Sequence, residues 1–185
     1  SSSFFSLFRN LILFLVLLII IFCCFIVPIL TYSENVSLDI LNGEYCWPVL
    51  SSNTITSYFG FRKSPTLGAS TYHTGIDIAA TLGSTIISVF SGTVIYTGFS
   101  GSGGYTIIIK SGNLTATYCH VSPTFLVYVG QFVEKGCIIS QVGPKNVYGV
   151  PNNPYKDSKG NPTNGSTTGP HLHLTIKKDA KPSIL

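Results

Sequence analysis

The residues of this chain best able to do chemistry are its histidines, which concentrate in three short motifs. They are an HxxxD motif at His73–Asp77, a YxH motif at Tyr118–His120 and an HxH motif at His171–His173, and together they contain all 4 histidines of the chain. Zinc prefers imidazole nitrogen and carboxylate oxygen, and a catalytic zinc takes three protein ligands and leaves a fourth position open. The motifs supply three such ligands and two further histidines. The sequence therefore predicts a catalytic metal site.

The spacing within the motifs allows their side chains to converge. Side chains two residues apart in a β-strand point to the same side, so the HxH motif passes this test, and in a strand Tyr118 shares a face with His120. The HxxxD pair shares a face in a strand and also in a helix, so it leaves the backbone undecided. Tyr118 itself has two interpretations, a hydrogen bond near the cleft or a place in the core.

The chain after residue 46 is dominated by glycine and β-branched residues, which is typical of β-structure. Strands are predicted at Thr85–Phe90, Thr93–Thr97, Tyr105–Lys110, Leu114–His120, Cys137–Val142 and His171–Ile176, with Gly- and Ser-containing turns between them. No amphipathic helix is predicted in this part. The expected fold is one all-β, mainly antiparallel domain over residues 46–185.

A long segment between Gly143 and Gly169 is rich in Pro, Asn and Gly and lacks strand periodicity. Loops of this length inside compact domains are uncommon, and they tend to be functional or disordered. Because this one leads directly into His171, it is interpreted either as a wall of a substrate cleft or as a solvated insertion.

The N-terminal part carries an uncharged apolar run at residues 11–30, long enough for a helix that crosses a bilayer. We expect a transmembrane anchor there, with a removable signal peptide as the alternative. Arg9 precedes the run, and Glu34 and Asp39 follow it. The positive-inside rule then places residues 1–10 in the cytoplasm and the remainder outside, with residues 31–45 as a stalk.

Charge and cysteine usage narrow the function further. The net charge of +4 comes from scattered Lys and Arg without a basic run, so no nucleic-acid site is expected, and a mildly basic surface suits an anionic polymer.

Cys23 and Cys24 lie in the apolar run. Cys46, Cys119 and Cys137 lack the paired spacing of a structural zinc site. Buried thiols are expected, with a Cys119–Cys137 disulfide as the alternative.

A longer series of motifs resembles one enzyme family. The series is Trp47-Pro48, Tyr58-Phe59-Gly60-Phe61-Arg62, His73-Thr74-Gly75-Ile76-Asp77, Gly92-Thr93-Val94, Tyr118-Cys119-His120, Val129-Gly130-Gln131-Phe132-Val133 and Thr168-Gly169-Pro170-His171-Leu172-His173. In this order, over about residues 46–178, it resembles the lysostaphin-like, LytM-like zinc metalloendopeptidases. The resemblance implies their fold, an antiparallel β-sheet domain of the duplicated hybrid motif type.

The resemblance also implies roles for the motif residues. Zn²⁺ is expected on His73, Asp77 and His173, and the matching catalytic residues are His120 and His171. A bound zinc lowers the pKa of its water toward 7 and polarises the scissile carbonyl. The two catalytic histidines would position or deprotonate that water, stabilise the oxyanion and return a proton to the leaving amine. Which histidine takes which role is left open.

Some positions depart from the family pattern. Leu174 and Thr175 stand where the family often has an aromatic and an acidic residue, and Val121 stands where leucine is usual. These departures leave the residues that support the ligands undetermined, and such residues tune metal affinity or activity by about 10- to 100-fold. Arg62 is interpreted either as holding a loop by an ion pair or as contacting substrate.

The function expected from the resemblance is a membrane-anchored zinc metalloendopeptidase that hydrolyses cross-bridge or stem peptides of peptidoglycan. Its location would be the bacterial cell membrane, single-pass, with the C-terminal domain extracytoplasmic. One alternative is a non-catalytic module that binds peptidoglycan or activates another hydrolase. Another is local wall cutting within an envelope-spanning assembly, for which an anchor would keep the enzyme close to its site.

Overall fold

The structure is a computed structural model, and it describes residues 10–16, 44–66, 68–178 and 181–182. Residues 10–16 are α-helical. Across the described residues, none of the helices combines the length and the apolar character needed to traverse a bilayer. Most of the apolar run at residues 11–30 lies outside the described residues, as do most of the segments 1–10 and 31–45. The anchor, the cytoplasmic segment and the stalk therefore stay predictions.

The β-rich unit covers Glu44–Leu185. Its strands are β1 (Ile55–Ser57), β2 (Gly60–Phe61), β3 (Tyr72–His73), β4 (Ile76–Ala79), β5 (Thr85–Ile87), β6 (Gly92–Phe99), β7 (Tyr105–Ser111), β8 (Leu114–Cys119), β9 (Phe132–Val133), β10 (Ile138–Gln141), β11 (His171–Lys178) and β12 (Lys181–Pro182). A 3₁₀ helix occupies Gly101–Gly103. Each predicted strand overlaps an observed one, and the expected all-β fold is confirmed.

The strands form one large sheet and two small ones. The large sheet has the order β1-β4-β11-β8-β7-β6-β9, with β12 paired to β11, and β10–β5 and β2–β3 form the two-stranded sheets. The neighbouring strands described in these sheets pair antiparallel. Strands β3, β4 and β11 bring the HxxxD and HxH motifs together, because β11 lies directly beside β4.

The large sheet has one face in the core and the other on a cavity. On β11, Leu172, Leu174 and Ile176 belong to the core, whereas the alternate residues His173 and Thr175 line the cavity. This is the two-residue alternation of a sheet that is apolar on one side only. Full burial of an aliphatic side chain contributes about 1.5–3 kcal/mol, so the core face holds the cavity face in place.

Tyr118 lies in the core and not in the cleft. Its side chain is fully buried, and its hydroxyl accepts a hydrogen bond from the backbone N–H of Val89 at 2.8 Å. Strand β8 ends at Cys119, and His120 follows with φ 59°, in the left-handed region. Because strand alternation stops at Cys119, the prediction that Tyr118 shares a face with His120 is wrong.

The three cysteines of the β-rich unit are free thiols, so the Cys119–Cys137 disulfide is not formed. Cys46 and Cys119 are buried, as expected, whereas Cys137 is exposed. Cys119 faces the floor of the cavity, and burial raises the pKa of its thiol to about 11. Cys137 instead precedes β10, and its carbonyl accepts a hydrogen bond from the backbone N–H of Ser88. Cys119 and Cys137 thus lie in different surroundings.

The long segment before β11 is a loop, as predicted, but it is internally bonded. Isolated antiparallel bridges join Asn146 to Thr163 and Lys156 to Pro162. The loop also reaches the 3₁₀ helix, because the backbone N–H of Ser166 donates to the carbonyl of Ser102 at 2.8 Å.

Candidate metal centre and active site

Three side chains of the HxxxD and HxH motifs meet at one point. His73 Nε2 lies 3.1 Å from Asp77 Oδ1 and 2.8 Å from His173 Nδ1, and His173 Nδ1 lies 2.8 Å from the same Asp77 oxygen. His173 and Asp77 are directly paired across β11 and β4. Gly75 permits this approach, because a Cβ on it would stand 2.1 Å from the carbonyl oxygen of Leu174.

The outer ring nitrogens show which atoms face the centre. His73 Nδ1 donates to the carbonyl of Tyr58 at 2.9 Å, and a carbonyl can only accept, so Nε2 presents its lone pair inward. His173 Nε2 bonds the Thr175 hydroxyl at 3.0 Å, which leaves Nδ1 on the inside. An imidazole that binds metal normally uses its other nitrogen in this way.

The resulting donor set fits zinc. Two imidazole nitrogens and one carboxylate oxygen converge within 3.1 Å of one another, and electron pairs so close repel unless a cation lies among them. Ligands about 2.0–2.1 Å from a tetrahedral zinc stand about 3.3 Å apart, close to the separations seen here. In the described part of the chain, His73, Asp77 and His173 thus form a group whose ligand atoms lie close enough together to hold a metal ion.

Arg62 holds the carboxylate from its outer side. Its Nη1 donates to Asp77 Oδ2 at 2.9 Å and to Ser57 Oγ at 2.6 Å. Arg62 thus forms an ion pair, as one of its two interpretations expects, and because it also lines both cavities beside the cluster, contact with substrate stays a prediction. The ion pair with Arg62 favours the ionised form of the Asp77 carboxyl group.

His120 is buried at the end of β8 and is fixed on three sides. Its Nδ1 donates to the carbonyl of Asn164 at 2.7 Å, its backbone N–H donates to Gly103, and its carbonyl accepts from Gly143. Burial, with the neighbouring His171, lowers the pKa of His120 to about 3. The imidazole is therefore neutral, with Nε2 left as an acceptor.

His171 is anchored in the same manner at the start of β11. Its Nδ1 donates to the carbonyl of Gly169 at 2.9 Å, and its Nε2 lies 3.7 Å from Asp77 Oδ1. The rings of His171 and His120 have centroids 4.7 Å apart. The two histidines expected to be catalytic thus lie side by side, next to the three expected ligands.

Two cavities, of about 400 and 530 Å³, adjoin at this cluster. The residues that line both are Arg62, His120, Ser166 and His173. Among the described residues, Arg62 Nε and Ser166 Oγ are buried without a hydrogen-bond partner. The end of the long loop, Thr168 to His171, lines the larger cavity, so this part of the loop is a wall of the cleft.

Asn164 is the residue that sequence reasoning missed. It is fully buried; Oδ1 accepts from the backbone N–H of Tyr105 at 2.7 Å and Nδ2 donates to the carbonyl of Val121 at 3.0 Å. These bonds lock the long loop to the ends of β7 and β8 and place the Asn164 carbonyl against His120. In the sequence, Asn164 is one of several asparagines in a polar loop, and nothing in its spacing distinguishes it.

Comparison with known proteins gives one consistent result. The sequence profile of peptidase family M23 matches residues 71–184. The DD-carboxypeptidase/endopeptidase Mpg of Neisseria meningitidis is 31% identical over 129 residues, which are 69% of this chain and 25% of that protein. The chain therefore spans about a quarter of the length of this relative.

Solved structures agree with the profile. A zinc-containing peptidase from Vibrio cholerae has a TM-score of 0.57 and 28% identity, over 74% of this chain and 37% of that one. The catalytic domain of lysostaphin from Staphylococcus simulans, at 23% identity, has the same fold with a TM-score of 0.53, over 70% of this chain and 86% of that one. The expected lysostaphin-like fold is confirmed, and the chain belongs to peptidase family M23.

Proposed function

We propose that this chain is a zinc metalloendopeptidase that hydrolyses peptide bonds of peptidoglycan. The observation that carries the proposal is the convergence of His73, Asp77 and His173 on one point, with His120 and His171 beside them. A three-ligand site that leaves one position open is the arrangement of a catalytic zinc, not of a structural one. The peptidoglycan substrate is supported by the name of the Neisseria relative, a DD-carboxypeptidase/endopeptidase.

The residues of the site have different roles, which follow from their positions. Zinc, when bound to His73, Asp77 and His173, supplies Lewis-acid chemistry that polarises the scissile carbonyl and acidifies water. His120 and His171 each keep Nδ1–H on a backbone carbonyl, which fixes the tautomer and leaves Nε2 to exchange protons. From there they take a proton from the attacking water and return one to the leaving amine.

The cavities beside the cluster fit an extended peptide that crosses the site. Together they provide room on both sides of the bond to be cut, and Arg62 keeps the Asp77 carboxylate turned inward during the reaction. This arrangement suits endopeptidase cleavage, in which peptide continues in both directions.

The alternative of a non-catalytic binding or activating module is not favoured. A module of that kind has no need of a complete ligand set, whereas here all three ligands and both further histidines are assembled. Membrane attachment through residues 11–30, and local wall cutting within an envelope-spanning assembly, belong to the proposal on the strength of the apolar sequence.

The test is release of amino groups, measured by mass spectrometry, from peptidoglycans with several types of cross-bridge. The zinc-loaded chain is compared with His120→Ala and with the wild type in a chelator. We expect release from at least one wall type, its loss in both controls, and its recovery when zinc is restored. A folded, zinc-bound protein that releases nothing from any wall would refute the proposal.

A further inference from the structure

The cavity face of the large sheet continues beyond the metal site as a regular array of side chains. Three strands contribute to it, and their facing residues form rows across the sheet. The rows are His173 opposite Cys119, then Thr175 opposite Thr117, then Lys177 opposite Thr115, which is in turn opposite Lys110. Residues paired directly across strands share a face. Lys177 and Lys110 therefore lie on the same face as His173.

The two lysines end this face at a defined distance from the reaction centre. Lys177 lies four residues after His173 on β11, and strands rise about 3.4 Å per residue, so the lysine row is about 14 Å away. Lys177 lines the 400 Å³ cavity, and Lys110 is exposed. Their strands lie on either side of β8, roughly 10 Å apart, so long lysine side chains can reach one group above Thr115.

The charges of the two lysines make this row suitable for an anion. Neither Lys177 nor Lys110 forms an ion pair within the described residues. Among the described residues, those that line the cavity include no Asp or Glu, and hydroxyl side chains of Thr106, Thr117 and Thr175 form much of its floor. The groove is thus polar along its length and positive at its far end.

The length of the groove matches a peptide in extended conformation. Such a chain advances about 3.3–3.6 Å per residue, so four residues span the distance from His173 to the lysine row. We propose that Lys177 and Lys110 form a carboxylate subsite that holds an anionic group of the peptide substrate about four residues from the cleaved bond. The inference rests on the proposed function, because it takes the occupant of the groove to be the peptide that is cut.

Binding is tested separately from catalysis. Cross-linked muropeptides are prepared with their stem carboxylates either free or amidated with ammonia and carbodiimide, and both forms are titrated by fluorescence anisotropy. His120→Ala is used as the host, so that bound peptide stays intact. We expect the free acid to bind about 3- to 10-fold more tightly than the amide, and Lys177→Gln with Lys110→Gln to remove the difference.

Lys178→Gln is the matched control, since Lys178 is the next residue on β11 and points to the opposite face. It should keep the preference for the free acid. Equal binding of acid and amide by the host, or a preference that survives in the double lysine variant, overturns the subsite.

Cleavage by the zinc-loaded wild-type chain then separates the two proposals. A kcat/KM that falls on amidation, and no longer does so in the double lysine variant, supports both. Binding that discriminates without any cleavage refutes the proposed function and keeps the subsite. Cleavage without discrimination refutes the subsite and keeps the function.

Discussion

Each of the four histidines is held by its outer ring nitrogen, but the acceptors differ in kind. His73, His120 and His171 donate to backbone carbonyls, which no side-chain substitution removes. His173 alone relies on a side chain, the hydroxyl of Thr175. Thr175, one of the departures from the family pattern, thus supports the ring of His173, an expected zinc ligand.

Thr175→Val should weaken the metal site while leaving the fold intact. Valine has nearly the shape of threonine but cannot bond His173 Nε2, so the ring loses its orientation. We expect zinc affinity to fall by about 10- to 100-fold, measured by competition with a chromophoric chelator. Thr117→Val is the control, since Thr117 is the residue opposite on β8. Equal losses in both variants would contradict the role of Thr175.

At the scale of elements, the position of His120 depends on a close contact between the long loop and the start of β7. Gly104 has φ 63°, and a Cβ there would lie 2.3 Å from the carbonyl oxygen of Asn164, the group that accepts from His120. Gly112, in the turn between β7 and β8, has φ 56° with nothing within 4 Å. Both glycines have a positive φ, but Gly104, with ψ −145°, lies in a region of backbone conformation that essentially only glycine adopts, and it alone makes this contact.

Gly104→Ala should therefore damage the site and Gly112→Ala should not. Both substitutions place alanine at a positive φ, at a cost of about 1–3 kcal/mol, which is expected to be larger at Gly104 because of its ψ of −145°. Only Gly104→Ala also displaces Asn164, and a misplacement of about 1 Å can cost 100-fold in rate. Thermal unfolding and kcat/KM measure the two effects. An active Gly104→Ala enzyme with the stability of Gly112→Ala would show that the contact is unimportant.

The long loop has its own pH-sensitive support at Asp157. Desolvation raises the pKa of this carboxyl, but hydrogen bonds from the backbone and side chain of Asn161, from Asn146 and from the backbone of Lys159 lower it to about 2. Because the pKa of Asp157 is lower in the folded chain than in the unfolded one, these hydrogen bonds stabilise the loop fully above about pH 4, the unfolded pKa. This stabilisation is lost as the pH falls through about 2, the folded pKa.

Acidification should therefore loosen the loop before the sheet. The amide resonances of Lys159 and Asn161 should shift with a midpoint near 2 while those of β7 and β8 stay in place. Asp157→Asn should lack this transition. A midpoint near the ordinary value of 3.8 in the wild type would contradict the network.

The predictions of strands from the sequence were confirmed where the pattern that indicates a strand lies within the strand itself. Alternation of apolar and polar residues agrees with the strand predicted at His171–Ile176, because every second residue there, Leu172, Leu174 and Ile176, faces the core. It failed at the end of β8, where the left-handed backbone of His120 ends the alternation. The role of Asn164 could not be predicted for a related reason. Its hydrogen-bond partners are distant along the chain, so no local sequence pattern indicates them.

For the whole molecule, the main untested expectation is the anchor at residues 11–30. A chain of residues 1–185 should sediment with membranes and resist extraction with alkaline carbonate, while a chain of residues 44–185 should stay in solution. The reason is the length of the uncharged apolar run, which matches the bilayer core. A shortened chain recovered from the medium, beginning shortly after residue 30, would favour the signal peptide.

Alternate residues of strand β11 serve two different purposes. Leu172, Leu174 and Ile176 build the core, and the residues between them build the metal site and the lysine row. A one-residue deletion inside this strand would exchange the two faces, so fold and chemistry would be lost in one step. A point mutation, in contrast, can alter the core face or the cavity face of the strand separately.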